Sequence, residues 1–300
     1  MSLFEGFAPR SVRTDNQWAV PFDGSLEMQN LKSVSGRKNL GSSARLKKAR
    51  KQLEPLQQVL FAGKQYSVLC IFQAMDAAGK DGTIREVFSG LDPTGVRVSA
   101  FKRPTSLESG HDFLWRTSRQ LPRRGIIGIF NRSYYEEVLT VRVHPQYLNT
   151  QYPGGAPDSE KLWPARYQAI REHERHLATA NTLILKFWLH VSAKEQAQRF
   201  RDRINEEHKR WKFSSRDVLE ARFREKYDQA IIKMLNETSR PWAPWFVIPA
   251  DNKPYMRHQV AEIIHQAMSD LPLEYPQPDV EDDAEMKVIS ERLENQIKDL

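Results

Sequence analysis

SVLCIFQAMDAAGKDGTI, Ser67 to Ile84, changes character twice along its length, and those changes decide the fold. SVLCIFQ is a short, nearly continuous apolar run, which suits a strand buried on both faces. Ala77, Ala78 and Gly79 follow as a stretch of small residues, and a helix is expected from Lys80 to about Gly90. Strand, small-residue loop and helix together make an anion cradle. Small side chains let backbone N–H groups reach phosphate oxygens, the helix N-terminus favours negative charge, and a lysine reaches the outer phosphates. Ala77, Ala78, Gly79 and Lys80 meet those demands, with Asp81 and Gly82 completing the candidate phosphate-binding set. The common pattern G-x-x-x-x-G-K-[ST] is modified here. Ala74 stands at its first glycine and Asp81 at its Ser/Thr. Asp76 and Asp81 place two carboxylates in a loop built for anions, which requires a cation between them and the phosphates. Mg²⁺ bound by one or two carboxylates plus substrate phosphates meets that need. The competing reading of Asp81 is a helix cap.

Working outward, a helix is expected over about Ser42 to Ala62, where Leu46, Leu53, Leu56, Val59 and Leu60 share a face. After the loop, VRVSAF (96–101), GIIGIF (125–130), TLILKFWLHV (182–191) and WFVIPA (245–250) read as further strands. Helical stretches are expected at Glu108–Gln120, Ser133–Thr140, Glu160–Ala180, Ala193–Asn205, Ser214–Glu237 and Tyr255–Met268. Apolar strands alternating with helices predict an α/β fold with a parallel sheet covered on both faces. No internal repeat or long linker interrupts it. The division expected is an arm over residues 1–40, one domain over 41–270, and an acidic and helical tail over 271–300. In that tail Ile289, Leu293, Ile297 and Leu300 recur at helical spacing.

Two further stretches carry chemistry. IFNRSYYEEV (129–138) leaves an apolar strand where a metal-binding aspartate would stand in many nucleotide-binding enzymes, and Asn131 occupies that place. Arg132 is placed for a phosphate, and Glu136 and Glu137 follow. After the strand TLILKFWLHV comes a basic segment with Arg199, Arg203, Lys209, Arg210 and Lys212, in the position where P-loop kinases carry a mobile lid. Its bland reading is a solvated charged face, because Glu195, Asp202, Glu206 and Glu207 dilute it. His173 and His176 in HERH lack the H-E-x-x-H spacing of a zinc site. His111 and His144 read as ordinary hydrogen-bonding residues in preference to phosphate ligands.

Composition sets the outer limits. The chain has 300 residues, 40% of them hydrophobic, and a formal net charge of +7. That excess attracts polyanions without choosing among nucleic acid, acidic membrane and phosphate-rich small molecules. No apolar run approaches the ~18 residues needed to cross a bilayer. The N-terminus lacks the apolar core of a secretory signal. The single cysteine, Cys70, cannot pair within the chain. These features lead to an expected cytoplasmic location with no membrane partner; no nucleic-acid partner is expected either, because the carboxylates of Asp76 and Asp81 would repel a phosphate backbone that lacks bound metal.

AMDAAGKDGTI (74–84), FKRPT (101–105), HDFLWR (111–116), FNRSYYEEVLTVRVHP (130–145), LKFWLHVSAKEQAQRF (185–200), RWKFS (210–214) and APWFVIPADNK (243–253) resemble, in order and spacing, the family-2 polyphosphate kinases. The likeness runs from about Leu46 to Met268. It is strongest to the polyphosphate:nucleotide phosphotransferase subgroup, which shares FKxPT and FNRS. The resemblance implies a three-layer α/β/α, thymidylate-kinase-like fold with a helical lid over about residues 193–215. It also implies polyphosphate as donor, AMP or ADP as acceptor (with GMP or GDP as further candidates), Mg²⁺ as cofactor, and a homo-oligomer. Carried over, Asp76, Lys80 and Asp81 fall in the phosphate loop, with Asp76 and Asp81 as the metal candidates. Arg132 and Glu136 fall in the second motif, Arg116 in the HDFLWR helix, and Arg199 and Arg203 in the lid helix. Asn131 departs from the aspartate of other subgroups. Two rival readings stand beside this one: an ATP-dependent nucleoside-monophosphate kinase, and a basic nucleic-acid-binding protein.

Overall fold

Five parallel strands form one sheet in the order β2-β3-β1-β4-β5: β1 Ser67–Ala74, β2 Val96–Ala100, β3 Ile127–Asn131, β4 Thr182–His190 and β5 Trp245–Pro249. They belong to a computed structural model that describes residues 9–35, 42–277 and 283–298. Residues 1–8 and 36–40 of the expected arm, and residues 278–282 and 299–300 of the expected tail, lie outside the described residues.

Alternation along β1 sends its side chains to two separate cores. Val68, Cys70 and Phe72 pack with α1 (Ser42–Gly63), α2 (Lys80–Val87) and the Lys253–Ser269 helix, through Leu53, Ile84, Val260 and Met268. Leu69 and Ile71 pack on the other face with the Ser159–Thr179 and Arg224–Thr238 helices, through Trp163, Ile170, Ile231 and Met234. Helices therefore cover both faces, as an α/β/α architecture requires. The chain leaving β1 enters α2 on one face, and the chain leaving β3 reaches the Ser159–Thr179 helix on the other. Their carboxyl ends thus flank a topological switch point, where open α/β sheets bind ligands.

Edges explain where the sequence pattern weakens. β2 is less apolar than the expected strands because it is an edge strand, with Val98 54% exposed. At the opposite edge, Ala19 bridges antiparallel to Phe246; Val20 N donates to Trp245 O (2.9 Å) and Val247 N to Trp18 O (2.8 Å). This part of the N-terminal segment closes an edge that would otherwise present unpaired backbone. Gly128 in β3 has a packing reason. A Cβ there would meet Pro122 at 2.9 Å.

Two expected helices are interrupted. Glu108–Gln120 resolves into short turns at Ser106–Ser109 and Trp115–Ser118. Thr105 and Glu108 form a reciprocal capping box, and Asp112 accepts the N–H of Leu114 (2.9 Å), so local side-chain bonds replace helix bonds. Ser214–Glu237 divides into Ser215–Glu220, a 3-10 turn at Ala221–Phe223, and Arg224–Thr238. The expected short helix at Ser133–Thr140 is a 3-10 turn, Tyr134–Glu137, followed by Thr140–Val143. By contrast, Ala193–Asn205 forms with the bounds the sequence predicts. The Asp283–Lys298 helix exposes Ile289, Leu293 and Ile297. Among the described residues, no helix is long and apolar enough to cross a membrane.

Candidate active site

The loop after β1 reaches α2 through two left-handed residues, Ala77 (φ 63°) and Gly79 (φ 105°). Glycine takes that conformation freely, whereas alanine pays roughly 1–2 kcal/mol for it. Gly79 is the N-cap of α2, so Lys80, Asp81 and Gly82 form its first turn, where backbone N–H groups lack helical partners. Asp81 is therefore inside the helix and does not cap it. Its Oδ1 accepts instead from Asn131 Nδ2 at the end of β3 (2.8 Å).

Lys80 is buried beneath the loop and donates to the carbonyl of Ala74 (2.9 Å). Burial, and then the Arg132 cation, press its pKa below the usual lysine value, while Asp76, Glu136 and Asp81 oppose them. Arg132 leaves β3 in the left-handed region too (φ 63°). Its Nη2 meets Asp76 Oδ1 at 2.8 Å, and its Nη1 lies 3.9 Å from Glu136 Oε2. Glu136, burial and Asp76 act on its pKa in that order, with the carboxylates prevailing upward. The Arg132 and Asp76 side chains are 40% and 30% exposed. A pair so wetted adds little stability. It is free to exchange partners when phosphates arrive.

The two arginines expected in a lid divide. Sequence resemblance assigns Arg199 to polyphosphate, but its five N–H donors are all engaged by protein: Glu195 Oε1 (2.8 Å), the carbonyls of Ala77 (3.1 Å) and Ala78 (2.6 Å), and those of Ala250 (2.6 Å) and Asp251 (3.2 Å). At 5% exposure it is a brace that holds the phosphate loop. Gln196 adds a bond to the carbonyl of Asp76 (2.8 Å). Arg203 is different, half-buried and, among the described residues, paired with Asp217 (3.2 Å) and the ring of Phe200. Arg116 is buried, donates to the carbonyl of Lys102 (2.8 Å) and lies over Phe101.

Arg116, Arg132, Glu136 and Asp76 all line one cleft of about 910 Å³ beside the loop, bounded also by the 101–113 segment and by Arg216 and Asp217 of the Ser215–Glu220 helix. Sequence reasoning missed Asp217, whose carboxyl is raised by burial and then by the nearness of Asp76. It also missed Lys253, depressed by burial and then by Arg199 and Lys209. Neither position carries a local motif; both become visible only when the lid and the Lys253–Ser269 helix meet the loop. A second hollow of about 860 Å³ lies beside residues 26–28 and the Arg224–Thr238 helix, with none of the loop's residues in its walls.

The histidines have structural partners. His111 Nδ1 contacts the carbonyl of Leu107 (2.8 Å) and its ring stacks on Trp115. His144 Nε2 contacts Glu220 (2.7 Å), and His173 packs edge-on against Tyr134. Among the described residues no three His, Cys, Asp or Glu side chains cluster as a metal cage. Asp76 and Asp81 each keep a second carboxylate oxygen outside these hydrogen bonds. That donor set fits a hard cation shared with substrate phosphates.

The polyphosphate kinase 2 family profile matches residues 37–275. The chain is 50% identical over 227 residues to an ADP-polyphosphate phosphotransferase of Rhodopseudomonas palustris, covering 75% of this chain and 78% of that protein. It is 45% identical over 229 residues to an AMP/ADP-polyphosphate phosphotransferase of Meiothermus ruber, covering 76% and 82%. The crystal structure of polyphosphate kinase 2 from Arthrobacter aurescens superposes with a TM-score of 0.84 at 33% identity, over 95% of this chain and 99% of that one.

Proposed function

This chain belongs to the polyphosphate kinase 2 family, and we propose that it transfers the terminal phosphoryl group of inorganic polyphosphate to AMP or ADP, reversibly and with Mg²⁺. The observation that carries the reading is the convergence of Lys80, Asp76 and Arg132 at the switch point between β1 and β3, where Asp76 and Arg132 line a cleft of about 910 Å³, room for a nucleotide. Phosphoryl transfer of this kind is mostly positioning and charge neutralisation. A terminal phosphate oxygen of the acceptor is already anionic, so it attacks the terminal phosphorus of the chain without a strong base. The new O–P bond forms as the bond to the rest of the chain breaks, leaving polyphosphate one unit shorter.

Lys80 and Arg132 neutralise charge on the transferring group, and Arg132 exchanges Asp76 for phosphate as it does so. Arg199 keeps the loop in shape and Arg203 grips the incoming chain. Glu136, held by Thr140 Oγ1 (2.6 Å), stands on the acceptor side and orients Arg132. Asp76 and Asp81 would hold Mg²⁺, which would supply positive charge to offset the repulsion between donor and acceptor phosphates. The kinase domain is assigned to residues 41–270, with the lid at about 193–215. A cytoplasmic homo-oligomer that also accepts GMP or GDP completes the reading.

Purified protein supplied with polyphosphate, Mg²⁺ and each of AMP, ADP, GMP and GDP should form the next higher phosphate. Transfer from ATP and none from polyphosphate would sink the reading. Titrating Mg²⁺ against rate assigns the carboxylates: Asp76→Asn should lose metal-dependent activity more completely than Asp81→Asn, and the opposite order would reverse their roles.

A further inference from the structure

Behind the turn that carries Glu136 lies a polar cluster that the transfer itself does not touch. Lys186, in the middle of β4, and Glu174, on the Ser159–Thr179 helix, are both 0% exposed, with Lys186 Nζ 2.7 Å from Glu174 Oε2. Lys186 gives its two remaining bonds to Tyr135 Oη and the carbonyl of Thr238, each at 2.8 Å. Tyr134 and Tyr135 both donate their hydroxyl protons to Glu174 Oε1, at 2.9 and 2.7 Å. All three lysine donors and both tyrosine hydroxyls are thus engaged, and four separate elements meet at one ion pair.

The turn needs such a hold. The chain leaves β3 through left-handed Arg132, passes an extended Ser133 (φ −168°, ψ −162°) and tightens into the 3-10 turn Tyr134–Glu137. A non-glycine residue held in the left-handed region, as Arg132 is, persists only where its surroundings over-determine it. Here the two tyrosine rings are drawn into the core while Arg132 and Glu136 line the cleft. Apolar side chains of equal volume would usually stabilise a core as well as a buried ion pair does. They would not fix the direction of a hydroxyl.

We propose that Tyr135, gripped through its hydroxyl by the Glu174–Lys186 pair, is a positioning residue for phosphoryl transfer, setting Arg132 and Glu136 against the phosphate loop. The proposal rests on the role given above to Arg132 and Glu136. It assigns the buried pair a share in turnover that ordinary core packing does not have.

Tyr135→Phe keeps the ring and removes the hydroxyl. The expected result is a folded protein whose kcat falls about tenfold while KM for nucleotide and polyphosphate stays within twofold. In an Arg132→Ala background the same substitution should cost less than twofold, because the residue it positions is gone. An unchanged kcat, or losses that simply multiply in the double variant, would overturn the proposal. Should Tyr135→Phe not fold, Tyr134→Phe removes the other donor to Glu174 Oε1 and is read by the same cycle. If the wild type moves no phosphate from polyphosphate, the functional reading fails by itself, and the crystal structure of the Tyr135→Phe protein decides the positioning claim. Loss of the 2.8 Å Arg132–Asp76 contact supports it, and its retention overturns it.

Discussion

Lys80 and Lys186 are both buried lysines with pKa values below the usual range, and they do opposite things. Lys186, pushed down to about 8 by burial despite Glu174, has three protein acceptors for its three protons, one of them a carboxylate at 2.7 Å. Lys80 is pressed down by burial and by Arg132, and its one hydrogen bond among the described residues goes to a backbone carbonyl. Burying a charge is costly unless it is paired and hydrogen-bonded. Lys186 is compensated inside the protein. Lys80 is compensated in part, and the remainder of its demand is for an anion that arrives from outside. Saturation of donors, more than burial or pKa, separates Lys186, which is satisfied within the protein, from Lys80, which keeps donors for the role proposed above.

Removing Lys186 should have the largest effect. Lys186→Ala leaves the buried Glu174 carboxylate with its two tyrosine hydroxyls and no countercharge, which costs about 3–5 kcal/mol, or roughly 10 °C in melting temperature. Urea or thermal unfolding measures it; a loss under about 1 kcal/mol would break the contrast from the structural side.

Lys80→Ala should lower kcat by about two orders of magnitude or slightly more, the ~3–4 kcal/mol of one transition-state charge contact. Its melting temperature should hold or rise, since the substitution removes a strained cation. Near-normal turnover in a folded protein would break the contrast from the functional side.

The same distinction applies, at smaller scale, to the lid arginines. Among the described residues Arg203 makes one ion pair and has donors to spare, so Arg203→Ala should raise KM for polyphosphate about tenfold and flatten its dependence on salt, as fewer counterions are displaced. Arg199, with all five donors engaged, should instead register in stability. Rates over a range of polyphosphate and salt concentrations, beside melting curves for both variants, make the comparison. Equal behaviour of the two would dissolve it.

Most of the sheet was legible in the chain because each buried strand is a run of apolar residues bounded by turns, and the phosphate loop because small residues before Lys80 have few other uses. The Ala193–Asn205 helix followed from its own pattern, and the structure adds a cap the sequence reading did not name: Ser192 Oγ accepts from Glu195 N (3.1 Å). The break at Gly110 to Asp112 was not legible, since helix-forming residues flank a local Asx turn that competes with them. HERH drew attention to its histidines. The residue in it that matters to the core is Glu174, whose partner lies on a different element.

What the sequence by itself determined is local: which segments alternate, which are apolar, where small residues and a lysine meet at the start of a helix. Those features depend on neighbours a few positions away. Tertiary structure alone decided strand order, the meeting of Asn131 with Asp81 and of Arg132 with Asp76, and the division of the cations into satisfied and unsatisfied. The reason is geometric. A hydrogen bond is short and directional, and Arg199 finds its acceptors 121 and 122 residues away on the loop. No pattern along the chain records which donors such contacts leave over for a substrate.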